Sequence, residues 1–157
     1  MKIKGIIDED FTNYKKASMF IAFPHCTFKC ERECGFHCCQ NKDLIDEPNI
    51  ELSEFAIASR YSFNMITSAI VIGGLEPFDD WNDLETLVNA LRSVTQNDIV
   101  IYSGYNEDEI KDKLKILCRY KNIIVKFGRF IPNSTPRYDE VLGVMLASEN
   151  QYARRIS

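Results

Sequence analysis

The sequence predicts an α/β fold in which parallel strands are joined by helical crossovers. Three observations carry that prediction. Short β-branched apolar runs recur along the 157 residues. Segments with a 3.6-residue apolar spacing fall between them. The runs are apolar throughout rather than alternating, as in strands buried on both faces. A chain of this length is expected to form one domain, and no linker, repeat or low-complexity stretch interrupts it.

The elements follow in order. SMFIAF (18–23) is the first strand and runs into a cysteine-rich loop. LSEFAIASRYSF (52–63) is a helix with Ser53 as N-cap. TSAIVIGG (67–74) is a β-branched strand ending in two glycines. The segment 79–94 places Leu84, Leu87, Val88 and Leu91 on one helical face. DIVIYSG (98–104) is a third strand with a glycine exit. A helix follows from 106, where Asn106 with Glu109 three residues on resembles a capping arrangement. NIIVKFG (122–128) is the fourth strand, and the proline-punctuated remainder holds one more apolar run, VLGVML. In parallel sheets ligands sit at the carboxyl ends of strands. The cysteine loop, the Gly73-Gly74 turn and the Ser103-Gly104 turn all follow strands and are expected to share one end of the sheet.

Composition narrows the function classes. Apolar residues make up 45% of the chain, which fits a folded globular domain. The net charge of −4 argues against a general nucleic-acid binder. No apolar run approaches the ~20 residues of a membrane helix. The N-terminus mixes both charge signs and lacks the apolar core of a signal peptide. The expectation is a cytoplasmic protein with no membrane and no nucleic-acid partner.

Five of the six cysteines lie within residues 26–39. Under cytosolic reducing conditions such a group binds metal or does redox chemistry rather than forming disulfides. Cys118 stands apart, on the apolar side of the 106–120 helix, and is expected to be a free, buried thiol. Cys26, Cys30, Cys34 and Cys38 recur every four residues, yet a straight helix would spread them over ~18 Å. Two thiolates on one zinc lie within ~4.6 Å of each other. The segment must therefore fold back if several cysteines share a centre, and Gly35 can help it turn. Paired C-x2-C knuckles of the zinc type are missing, and His25 and His37 read as loop residues. An iron–sulfur cluster suits the spacing better. Four protein thiolates would close such a cluster for electron transfer only, whereas three would leave one iron open.

The cysteine loop after the first strand, together with the GGLEP turn (73–77) after a later one, resembles the radical S-adenosylmethionine superfamily. The resemblance implies three cysteines on a [4Fe-4S] cluster whose open iron chelates S-adenosylmethionine. It assigns Gly73, Gly74, Glu76 and Pro77 to the S-adenosylmethionine site, with Ser103 and Gly104 from the next turn. The whole chain resembles one branch, the activating proteins of anaerobic (class III) ribonucleotide reductase. The opening KIKGIIDEDFTNY, GGLEPF with Asp79-Asp80, DIVIYSGYNEDEI, IIVKFGRF and LASENQYARRI carry that likeness. What it implies is a single radical S-adenosylmethionine domain over residues 1–157, folded as a partial, open TIM-like barrel of parallel strands with helical crossovers. A flavodoxin or ferredoxin would supply one electron. A 5′-deoxyadenosyl radical would then take a hydrogen atom from a glycine of the large reductase subunit. No catalytic residue beyond the cluster ligands is implied.

Two positions depart from that pattern. The family spacing is C-x3-C-x2-C; Cys26 and Cys30 satisfy its first half, and the second half is stretched. Cys39 is the favoured third ligand, because Cys39-Gln40-Asn41 resembles the Cys-His-Asn closing the family motif. Cys34 is the alternative, and Cys38 also falls in the window. Phe127 stands where the family tends to carry Asp. Phe36, Trp81, Tyr102 and Tyr105 are candidate aromatics at the rim of the site. The competing readings are a related radical enzyme with another glycyl-radical protein or a small molecule as substrate, a four-thiolate electron-transfer or metal-binding module, and a catalytically lapsed homologue.

Overall fold

The computed structural model describes residues 1–157. The elements are β1 (Lys2–Ile3), β2 (Gly5–Asp10), β3 (Ser18–Phe23), α1 (Lys29–Cys34), α2 (Asp43–Asp46), β4 (Ile50–Glu51), α3 (Glu54–Ser62) and β5 (Ala69–Gly74). There follow α4 (Trp81–Val94), β6 (Asp98–Tyr102), α5 (Lys111–Leu117), β7 (Ile123–Phe127), β8 (Arg137–Asp139), β9 (Val144–Leu146) and β10 (Tyr152–Arg155). Single 3-10 turns at Pro77–Asp80 and Glu107–Ile110 lead into α4 and α5.

Six strands form one mixed, mostly parallel sheet in the order β10-β7-β6-β5-β3-β2. The four expected strands, β3, β5, β6 and β7, make its parallel centre. The outer strands β2 and β10 pair antiparallel and leave the sheet open at both edges. The central strands follow one another in sequence order. Right-handed crossovers that all step the same way put their helices on one face. The larger core shows this arrangement: Ile21, Ile72, Ile101 and Val125 pack against Ile57, Leu87, Leu91 and Leu117. On the other face Val71, Val100 and Ile124 lie under Tyr14, Leu142 and Leu146. Both faces are covered, which is why the strands read as unbroken apolar runs.

Local signals held at the helix ends. Ser53 caps α3, its side chain accepting from Ala56 N at 3.1 Å. The Glu109 carboxylate accepts from Asn106 N at 2.8 Å. Cys118 needs correction. It is exposed at the C-cap of α5, and its thiol donates to Ile156 O at 3.4 Å. The buried stripe of that helix is Leu114 and Leu117, and Cys118 lies one position round from it. No helix is long and apolar enough to cross a membrane.

Candidate functional site

The carboxyl ends of β3, β5 and β6 deliver three loops to one cavity of about 460 Å³. Cys26, Cys30 and Cys39 line it, as do Gly73, Gly74, Glu76, Ser103 and Gly104. Pro77 is buried at the start of its 3-10 turn, off the cavity wall. Cys34 also lies off that wall and lines a smaller hollow with Cys30, Glu33 and Arg129. Of the four candidate aromatics, Tyr102 and Tyr105 line the cavity. Trp81 instead stacks on Phe78, ring centroids 6.1 Å apart, and Phe36 is exposed on the cysteine segment.

The cysteine segment folds back as its geometry requires. After Phe28 the chain forms only the six-residue α1. Gly35, at φ 79°, ends it and donates its N–H to Glu31 O at 2.9 Å. The reversal lets the Glu31 carboxylate accept from Cys39 N at 3.1 Å and meet His37 Nδ1 at 3.0 Å. The Cys34 thiol contacts Phe36 O at 3.1 Å and Cys38 Sγ at 2.9 Å. Asn41, two residues past Cys39, donates its side-chain amide to Gly74 O and so joins the cysteine segment to the glycine turn.

Gly74 is a position only glycine fills. It stands opposite Phe23 at φ 88°, and a Cβ there would meet Phe23 N at 2.7 Å and Ala22 Cα at 2.8 Å. Two residues on, the buried Glu76 carboxylate accepts from Phe78 N at 3.1 Å, Ser103 Oγ at 2.9 Å and Gly104 N at 2.7 Å. It thus welds the β5 and β6 turns together. Burial pushes Glu76 up to about 7, with these hydrogen bonds opposing the rise. Asp79 reaches both other loops, accepting from Thr27 N at 2.6 Å and from the Tyr105 hydroxyl at 2.5 Å.

Three cations line the site that were not singled out from the sequence, Lys29, Lys126 and Arg129. Lys126 on β7 is buried on the cavity wall and donates to Gly128 O at 2.9 Å and Ser103 O at 3.3 Å. The signal was available, for it is the one charged residue inside an apolar strand run. Arg129 grips Glu109 through two nitrogens, and its Nε stands 3.1 Å from Glu33 of α1 without hydrogen-bond alignment. That clamp holds Glu109 down at about 2 and ties the cysteine helix to the 107–110 turn. Phe127 is fully buried on the helix-covered face and packs on Tyr152, ring centroids 5.4 Å apart.

Burial pushes the Cys26 thiol up to about 12, and nearby Glu76 and Asp79 add to the rise. Burial raises Cys30 and Cys39 as well. A nucleophilic or redox-switch cysteine sits among positive groups that lower its pKa. Here burial does the opposite, which argues against a nucleophilic or redox-switch thiol at these positions. No three of the His, Cys, Asp and Glu side chains stand close enough together to hold a single metal ion.

A family model for the 4Fe-4S single cluster domain matches residues 16–151. The chain belongs to that family. Searches of curated proteins and of solved structures gave no match. The donor chemistry of this 4Fe-4S domain fits the group: Cys26, Cys30 and Cys39 line one cavity, and cysteine thiolates are the ligands such clusters take.

Proposed function

We propose that this 4Fe-4S domain is a radical S-adenosylmethionine activase that generates a glycyl radical on the large subunit of anaerobic ribonucleotide reductase. The observation that carries the reading is the meeting of Cys26, Cys30 and Cys39 with the Gly73–Glu76 and Ser103–Gly104 turns on one cavity. The three cysteines are the cluster ligands in this account, with Cys34 as the alternative third. Held by these thiolates, a cluster would pass one electron from an external flavodoxin or ferredoxin to S-adenosylmethionine, giving methionine and a 5′-deoxyadenosyl radical able to take a hydrogen atom from the partner's glycine.

The chain's own part is positioning and exclusion of water. Gly73, whose missing Cβ would stand beside the cavity-lining Phe20 and Tyr102, leaves the backbone open to a ligand, while Gly74 lets the turn pack on β3. Glu76 spends both oxygens on Phe78, Ser103 and Gly104, so its first role is to fix the two turns. The resemblance would also have the Glu76 region receive the ligand's ammonium. The cysteines are only part-buried, which leaves a flavodoxin or ferredoxin access. The one-directional strand order with helices on one face supports a partial, open TIM-like barrel. Val144–Leu146 of β9 line the cavity, and the exposed Met145 offers a protein substrate an apolar contact at its edge.

A second reading rests on the 2.9 Å contact between Cys34 and Cys38. If one of these supplies a fourth thiolate, the cluster is closed and the domain only carries electrons. The deciding assay incubates reconstituted, chemically reduced protein with S-adenosylmethionine and measures methionine and 5′-deoxyadenosine. Equimolar release of both supports the activase, and release of neither leaves the electron carrier.

A further inference from the structure

Two carboxylates intercept main-chain N–H groups beside the cluster thiols. Asp79 Oδ2 accepts from Thr27 N, next to Cys26, at 2.6 Å. Glu31 Oε1 accepts from the N–H of Cys39 itself at 3.1 Å. They come from different elements, Asp79 from the 3-10 turn after β5 and Glu31 from α1. By contrast the N–H of Phe28 reaches a sulfur, Cys26 Sγ, at 3.2 Å. Asp79 has no cation as hydrogen-bond partner, and its other oxygen takes the Tyr105 hydroxyl.

We infer that Asp79 and Glu31 hold the reduction potential of the cluster low. Hydrogen bonds to cluster sulfurs and the local net charge are two of the protein's levers on that potential. An N–H aimed at sulfur stabilises the added electron; an N–H diverted to a carboxylate does not. The carboxylate adds a fixed negative charge that opposes reduction further. The two effects act in the same direction, against one opposing contact beside each thiol: the Phe28 N–H on Cys26 Sγ, and the His37 ring 3.0 Å from Glu31 Oε2, which offsets part of that charge when protonated. The inference rests on the 4Fe-4S family and on those two ligands, not on S-adenosylmethionine chemistry. Both residues are positioning residues in this role, since they touch the loop rather than substrate.

The test is a redox titration followed by EPR on the anaerobically reconstituted full chain, for wild type, Asp79→Asn, Glu31→Gln and Tyr105→Phe. Asn and Gln keep an oxygen for the N–H and remove the charge. Asp79→Asn and Glu31→Gln are each expected to raise the midpoint potential, seen as a several-fold rise in the ratio of reduced to oxidised cluster at fixed ambient potential. Tyr105→Phe strips a donor from Asp79, concentrates its charge and should move the potential down. Wild-type potentials in both carboxylate variants, at full iron and sulfide content, would overturn the inference. Failure of Glu31→Gln alone would overturn its Cys39 half. If Asp79→Asn does not hold a cluster, the Tyr105→Phe shift still decides the Asp79 half. A shift in potential without S-adenosylmethionine cleavage would leave this inference standing and sink the activase.

Discussion

Replacing Lys126 with Met should make the protein more stable at neutral pH and less able to use its cavity. Lys126 is 7% exposed and has only two carbonyl oxygens for partners. Burial drives its pKa from 10.5 down to about 8, partly offset by attraction to Glu76. Keeping the charge at pH 7 therefore costs about 3 kcal/mol of folding stability. Met fills the space of the aliphatic stem, while loss of the carbonyl contacts returns about 1 kcal/mol. Gly128 O keeps a donor, the Gln151 amide at 3.3 Å. The net gain is about 2 kcal/mol, or roughly 4–8 °C in melting temperature for a domain of this size. The pH dependence has a definite sign. A base whose folded pKa is lowered binds fewer protons folded than unfolded between about 8 and 10.5, so wild-type stability rises across that window. The advantage of Lys126→Met should accordingly shrink from pH 7 to pH 10. Urea unfolding of both proteins at several pH values measures it. A variant less stable than wild type at pH 7, or an advantage that does not change with pH, would refute the reasoning.

Other perturbations have equally definite outcomes. Gly74→Ala forces a Cβ into the β3 backbone at positive φ and should cost about 3 kcal/mol or more, read by urea unfolding, with loss of iron loading after reconstitution. Asp98 is held at about 2 by hydrogen bonds from Lys16, Arg155 and Tyr14, which outweigh its burial. Its contribution is present above pH 4 and lost as pH falls towards 2, so Asp98→Asn should flatten the acid limb of the stability curve. An unchanged acid limb in that variant would remove Asp98 from the account.

Much of this molecule was legible because burial on two faces leaves a plain mark. The strands at 18–23, 67–74, 98–104 and 122–128 read correctly since each is apolar through its centre, with Lys126 the one charged interruption. The edge strands did not read. GIIDED in β2 ends in three acids, of which Asp8 pairs with Arg60, Glu9 is exposed and Asp10 is buried under hydrogen bonds from Thr12 and Asn13. YARR in β10 spends its arginines on Glu107 and Asp98. Edge strands are polar by need, so hydropathy misses them. The site was legible from loop position: carboxyl-end loops of a parallel sheet converge, and Cys26, Cys30, Cys39 and both glycine turns did. Side-chain traffic between loops was not legible. Nothing in the spacing foretold that Asp79 reaches Thr27, that Asn41 reaches Gly74, or that Arg129 reaches across to Glu33. The last two depend on how the 31–38 segment folds back, and the first on the path of the chain leaving β3.

The most direct test of the central claim is the EPR spectrum of the anaerobically reconstituted, reduced protein with and without S-adenosylmethionine, for wild type, Cys34→Ala and Cys39→Ala. The account predicts a [4Fe-4S]⁺ signal that changes when S-adenosylmethionine binds, survives in Cys34→Ala and is lost in Cys39→Ala. A signal indifferent to S-adenosylmethionine would contradict it and leave an electron-carrying domain.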